Sequence, residues 1–434
     1  MTYKMQWLNV SVKDTFEQIS TRDKQVKTKD CLIKGDYPVV DQGRSLINGF
    51  VNDETKVINL NKKPIVIFGD HTRIIKWINF NFVPGADGTK LLMPKEFLIP
   101  RFFYYQLKSI DIKDRGYGRH FKILQESNFK VAPLAEQQEI VRQLDVMLAQ
   151  VEQIKARLDA IPTILKKFRQ SVLADAVSGK LTEEWREQNN LPLANIEKLE
   201  RVVDSSFYGP RFSKDDYTDD LQNGIPTIRT TDMSDGKIIV TPTTPRIIVP
   251  PEKIEQFKVK PSDLLITRTG SIGVMALVRE EYLAIPSAYL IRFRFKQNLV
   301  SSDYIYYALT SPNGQNQMGL STTAITQPNI NANSIRALEI YLPSIEEQKE
   351  IVKRVDTLFG YAARIEETIQ SAQKRLNLLT QSILAKAFSG ELTAEWREQH
   401  QDLITGVNSA EALLAKIQAE REASKPVKKA KRVK

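Results

Sequence analysis

Side chains able to grip or read a nucleic acid recur at loop positions along this chain. Lys113-Asp114-Arg115-Gly116-Tyr117-Gly118-Arg119-His120-Phe121 is a basic, aromatic stretch punctuated by two glycines. An arginine fork matches the acceptor pair of guanine, glutamine matches adenine, and glycine lets a backbone approach closely. Arg115, Tyr117, Arg119 and His120 are therefore candidates, helped by Gln42, Arg44 and Arg73. A solvated loop touching only phosphate is the open alternative for each of them. A second set comprises Arg229 and Arg268 at the ends of two expected strands, with Ser271, Thr322 and Gln327 from neighbouring loops. Ser and Thr serve base or phosphate oxygens alike, and both arginines could equally pair with Asp232 or Asp263.

Signatures of catalysis are missing from the pattern. No glycine-rich loop ends in Gly-Lys-Ser/Thr, and Gly116-Tyr117-Gly118 does not open a strand–helix–strand unit. The Asp/Asn-Pro-Pro-aromatic tetrapeptide of amino-methyltransferases is also missing. The single cysteine, Cys31, excludes a disulfide framework and a thiolate cluster, and fits a reducing cytoplasm. His71, His120 and His400 lie too far apart in sequence to suggest a metal site. The chain has no signal-peptide core and no apolar run long enough to span a membrane. Its net charge of +10 points to a polyanionic partner. Residues 1–132 hold 22 Lys+Arg against 14 Asp+Glu, whereas residues 200–342 hold 15 against 15. The basic tail from Arg421 reads as a solvated end with loose attraction for nucleic acid.

What must position these loops is a repeat. Residues 136–188 align without a gap to residues 347–399, and 22 of the 53 pairs are identical. Both copies open on Glu-Gln-x-Glu-Ile-Val, at Glu136 and Glu347, and close on Leu-Thr-x-Glu-Trp-Arg-Glu-Gln, at Leu181 and Leu392. Between those ends lies a heptad stripe: Ile140, Leu144, Met147, Val151, Ile154, Leu158, Ile161, Leu165, Phe168 and Val172. Its counterpart runs Ile351, Val355, Leu358, Ala362, Ile365, Ile369, Ala372, Leu376, Leu379 and Ile383. Two matched narrow stripes predict that the helices pair with each other; packing of each on its own globular neighbour is the alternative. Pro162, opposite Gln373, predicts a kink or a restart. Ser178-Gly179 and Ser389-Gly390 predict the helix stops. Trp185 and Trp396, set among charges just beyond, are candidates for contact with a partner subunit or for capping the local core.

The expected fold is α+β, with two mixed α/β blocks separated by two long helices that form an antiparallel coiled coil with pseudo-two-fold symmetry. The boundaries are 1–132 for the first block, 133–188 for the first helical repeat, 189–342 for the second block and 343–399 for the second repeat. Residues 400–434 hold a short helix and the tail. The blocks echo one another in layout. Asp36 to Asp41 answers Gly224 to Arg229, Pro64 to His71 answers Asp263 to Ser271, and an expected helix from Pro100 to Ser109 answers one from Asp303 to Ser311.

The doubled opening and closing motifs, alternating with two variable blocks, resemble the specificity subunit of type I restriction-modification enzymes. The resemblance covers essentially the whole chain. One departure is that the expected Pro-Pro before the first helix is Ala132-Pro133 here, with Leu342-Pro343 before the second. The resemblance implies two target recognition domains, each reading half of a split, asymmetric site in double-stranded DNA, with the helices as spacer. It implies two modification subunits that bind S-adenosylmethionine, and restriction subunits that use ATP and Mg. No cofactor is then expected on this chain, which is non-catalytic. A stripe from Ile140 to Val172 would span roughly 50 Å at 1.5 Å per residue, enough to cover half-sites about 34 Å apart. Two other readings are a coiled-coil adaptor and a diverged DNA-modifying enzyme. Steeply salt-dependent DNA capture excludes the first, and failure of the lone chain to bind S-adenosylmethionine excludes the second.

Overall fold

The computed structural model describes residues 7–85, 88–114, 116, 118–269, 272–320 and 330–423. The chain divides into two compact units, Met1–Arg157 with Ser371–Lys434, and Leu158–Gln370. Both divisions fall inside long helices, Leu134–Ala176 and Ile345–Ser389. Each unit thus holds one block, the start of the helix that follows it and the end of the other long helix.

In the first unit four antiparallel strands run in the order Phe16–Ile19, Thr89–Pro94, Ile65–Gly69 and Ile75–Ile78. Ile65–Gly69 is buried at every residue because both faces of the sheet are covered, so its apolar run does not alternate with polar residues. Val66 and Phe68 face a core made with Phe102 and Phe103 of the helix Pro100–Ser109, Ile140 and Leu144 of one long helix, and Leu384 and Ala387 of the other. Ile65 and Ile67 face Val40, Ile58 and Phe82 beneath a smaller sheet, in which Tyr37–Val40 pairs in parallel with Val83–Pro84.

The second unit repeats this plan with different residues. Val203–Tyr208, Leu290–Phe295, Leu264–Thr267 and Met275–Leu277 form the main sheet, and Ile225–Ile228 pairs in parallel with Ile285–Pro286. Leu264 and Ile266 pack with Tyr304 and Ile305 of the helix Ser302–Thr310 and with Val172, Ala176, Ile351 and Val355 of the long helices.

Within each unit the long helices run antiparallel. Leu165 packs with Ala362 and Ile369, and Arg169 makes a forked pair with Glu366 at 2.6 and 2.9 Å. Most expected stripe positions are buried or half-buried, but Ile154, Phe168, Ile365 and Leu379 are exposed, and Leu148, Leu384 and Ala387 join the core instead. A strict heptad drifts by about 20° per repeat on a straight helix, and the ends also pack on their blocks. Pro162 causes no restart, since the helix is unbroken through it. Its neighbours Ile161 and Leu165 lie in the apolar cluster with Ala362, and this packing holds the helix together where propensity alone would end it. The stops are as expected, with Gly179 and Gly390 left-handed at φ +77° and +85°.

The repeated motifs have a structural reason. Glu136 is fully buried, and its carboxylate accepts from Thr393 at 2.7 Å, Arg397 at 2.6 Å and the Trp7 indole at 2.7 Å. Glu347 accepts from Thr182 and Arg186, both at 2.7 Å, and from the Tyr341 hydroxyl at 3.2 Å. The opening Glu of each repeat is therefore locked to the closing Thr and Arg of the other. The adjacent glutamines fasten each helix to its block. Gln137 takes the Ile99 N–H and donates to Phe97 and Ala132 carbonyls; Gln348 takes the Ser301 N–H and donates to Leu299 and Pro343 carbonyls.

Candidate nucleic-acid interface

Among the described candidates, Arg73 and Arg268 lie in loops that follow main-sheet strands, Gln42, Arg44 and Arg229 in loops that follow strands of the smaller sheets, and Arg119 and His120 in the loop that follows the helix Pro100–Ser109. In the first block Gln42 ties two of these loops together: its side chain accepts from the His71 N–H at 3.1 Å and its carbonyl from the Thr72 hydroxyl at 2.6 Å. Arg73, left-handed at φ +60°, donates to the Ile112 carbonyl at 2.9 Å and to Asp114 at 2.6 Å. Asp114 in turn accepts the Gly116 N–H at 2.8 Å, so Arg73 braces the glycine loop from below. Arg44 and Arg119 are exposed and make no hydrogen bond or ion pair among the described residues. Arg115 and Tyr117 lie outside the described residues.

His120 corrects an expectation. It is fully buried, with its backbone N–H donating to the Asp70 carbonyl at 2.9 Å and its Nδ1 lying 3.0 Å from the same oxygen. A side chain so placed cannot present itself to a base edge. It positions the loop that carries Arg119. Asp70 holds the other side of this joint by accepting the Phe121 N–H at 2.8 Å.

In the second block Arg229 pairs with Asp232, at 3.2 Å from both Nε and Nη2. Asp263 is engaged by Arg294 at 2.8 Å and Arg292 at 3.7 Å, not by either candidate arginine. Burial, with Arg294 beside it, pulls the Arg292 guanidinium down to about 10, against the pull of Asp263. Arg268 lies over the Tyr208 ring, 4.9 Å from its centre, and makes no hydrogen bond or ion pair through its guanidinium among the described residues. Ser271, Thr322 and Gln327 lie outside the described residues. Trp185 and Trp396 are half-buried, and Trp396 stacks on His400 at 4.7 Å.

Among the described residues no group of three or more His, Cys, Asp or Glu side chains could hold a metal ion. No described helix is long and apolar enough to cross a membrane.

The family described as type I restriction modification DNA specificity domain matches residues 5–163 and again residues 196–373. The chain belongs to this specificity family. Each match takes in one block and the first part of the long helix leading out of it. The type I restriction enzyme EcoBI specificity subunit of Escherichia coli is 38% identical over 346 residues, covering 75% of this chain and 72% of the relative. The EcoKI specificity subunit of Escherichia coli strain K12 is 40% identical over 317 residues, 68% of this chain and 64% of the relative. A chain from a structure of type I R-M complex assembly superposes with a TM-score of 0.64 over 89% of this chain and 99% of that one. At 19% identity that match speaks for the fold alone.

Sequence reading missed two sets of positioning groups in this member of the family, Lys76 and the tyrosine pair Tyr105 and Tyr307. Lys76 is buried and donates to the Asp41 and Ser45 carbonyls, both at 2.6 Å, holding the loop that carries Gln42 and Arg44. Burial lowers its pKa while Asp41, 3.7 Å away, opposes the shift. Tyr105 and Tyr307, one on each block helix, donate to Asp145 and Asp356 at equivalent places on the long helices. The aligned pair Asp145/Asp356 inside the repeat was the one available signal.

Proposed function

We propose that the chain is the DNA-recognition subunit of a type I restriction-modification enzyme, and that each block reads one half of a split site. The observation that carries this is a shared frame with opposed contents. The Asp70 N–H donates to the Gly88 carbonyl at 2.8 Å in the first block, and the Arg268 N–H donates to the Tyr289 carbonyl at 3.0 Å in the second. The same backbone joint thus carries an acid and a glycine in one block, an arginine and a tyrosine in the other. In this reading the paired helices are a coiled-coil spacer that docks two modification subunits, which supply S-adenosylmethionine. Restriction subunits supply ATP-driven motion and cleavage, and this chain contributes no catalytic group. Sequencing the methylated bases of a host with and without this gene tests the reading. One bipartite motif is expected to vanish with the gene; loss of a single uninterrupted motif contradicts it.

Exposed Arg119 is proposed to read a base from a loop braced by Arg73 and His120. Arg119→Ala is expected to cost about 1–3 kcal/mol and to relax one base position in binding to variant duplexes. A loss shared equally by all sequences, with a shallower salt dependence, assigns it to phosphate. Trp185 and Trp396 are proposed to touch the modification subunits. Replacing both with Ala is expected to reduce co-purification with those subunits more than it lowers the melting temperature. An intact complex after the double replacement rules this out.

A further inference from the structure

The second block, whose charges balance overall, contains a cleft of about 390 Å³ that does not balance. Among the described residues Arg211 and Arg268 are its only charged lining residues, joined by Thr269, Ser287, Tyr217 and Tyr289, and no carboxylate lines it. Three polar atoms in this lining are buried without a partner: Arg268 Nε, Thr269 Oγ1 and Ser287 Oγ. Unpaired buried groups of this kind are costly and rare, and three around one cleft mark a place awaiting an acceptor. Gly209 lets the end of the strand Val203–Tyr208 press against the backbone of Pro286 and Ser287, where a Cβ would collide with both carbonyls. At the equivalent joint of the first block Asp70 stands where Arg268 does, and the Gln42 side chain lies against Gly88.

We propose that this cleft receives a phosphodiester of the DNA backbone, with the Arg268 guanidinium and the Thr269 and Ser287 hydroxyls donating to its oxygens and Arg211 at the rim. The proposal rests on the DNA-recognition reading and adds the anchor that fixes the register of the second block. A concave site receives what protrudes from a duplex, and phosphates protrude while base edges lie recessed in the grooves. Guanidinium and hydroxyls form a donor set suited to phosphate, and stacking on Tyr208 holds the arginine fork ready.

The test uses the full chain assembled with its modification subunits and a duplex carrying the methylated motif. Arg268→Ala is expected to weaken binding about tenfold, by the same factor when the second half-site is altered, and to lower the salt slope by about one. Thr269→Val gives the sharper readout. Its hydroxyl has no partner in the free chain, so the melting temperature should stay or rise while DNA affinity falls several-fold. The proposal is overturned if Thr269→Val leaves affinity untouched, or if Arg268→Ala relaxes one base position with the salt slope unchanged. It is also overturned if 2-aminopurine in the half-site brightens on binding in an Arg268-dependent way, which would place an extruded base in the cleft. A wild-type complex that binds duplex without salt dependence removes the DNA-recognition reading itself.

Discussion

Replacing residues 200–342 with the corresponding block of a relative should change one half of the methylated motif and leave the other half and the spacing untouched. The exchanged stretch contains every candidate reading residue of the second block and none of the first. It also leaves Thr182, Arg186 and Glu347 in place, so the lock between the helix ends persists. Of the contacts that cross the junction, Tyr341 donating to Glu347 and Tyr307 donating to Asp356 must come with the donor, whereas Gln348 grips only the backbone of Leu299 and Ser301. A donor block that keeps both tyrosines separates recognition from support. Sequencing of methylated bases reads the outcome directly, and if both halves change together the two-reader account fails.

The largest stability effect is expected at the lock. Glu347→Ala would leave the Arg186 guanidinium buried without its carboxylate, and Thr182 and Tyr341 without their acceptor. Stranding one partner of a buried pair costs about 3–5 kcal/mol, whereas replacing both by apolar residues of similar size is often close to neutral. Glu347→Ala should therefore unfold the second unit at markedly lower denaturant, and the double variant Glu347→Met, Arg186→Met should recover most of the loss. Glu136→Ala should do the same to the first unit through Arg397 and Trp7. Hydrogen exchange resolved by block is the measurement. A loss under about 1 kcal/mol, or one spread evenly over both units, contradicts this account of the motifs.

Much of the frame could be read from residue order because it follows local rules. The long helices, the Ser-Gly stops, the helix from Pro100 and the apolar run at Ile65 are each specified by periodicity or by a terminating glycine. What escaped depends on which distant group a side chain meets. Glu136 finds Thr393 across 257 residues, and nothing in the spacing of either motif says so. His120 looked like a loop residue facing outward because its neighbours are glycine and arginine, yet the turn points it inward to Asp70. The arginines of the second block divide differently: Arg229 is held by Asp232 three residues on, a local pairing open to sequence reading, while the tertiary fold gives Arg268 an aromatic ring and no carboxylate among the described residues.

The interleaving of the two units has a consequence for synthesis. Leu158–Gln370 is contiguous in sequence and can close its core as soon as it leaves the ribosome. The first unit needs Ser371–Lys434, because Leu384, Ala387 and Phe388 fill its core and Arg397 neutralises Glu136. At about 5–20 residues per second, the block made first waits on the order of ten seconds or more with Phe102 and the start of its long helix lacking the packing of Leu384, Ala387 and Phe388. The block translated second is then the first to be finished, and chaperone demand and proteolytic risk during translation fall on the amino-terminal block.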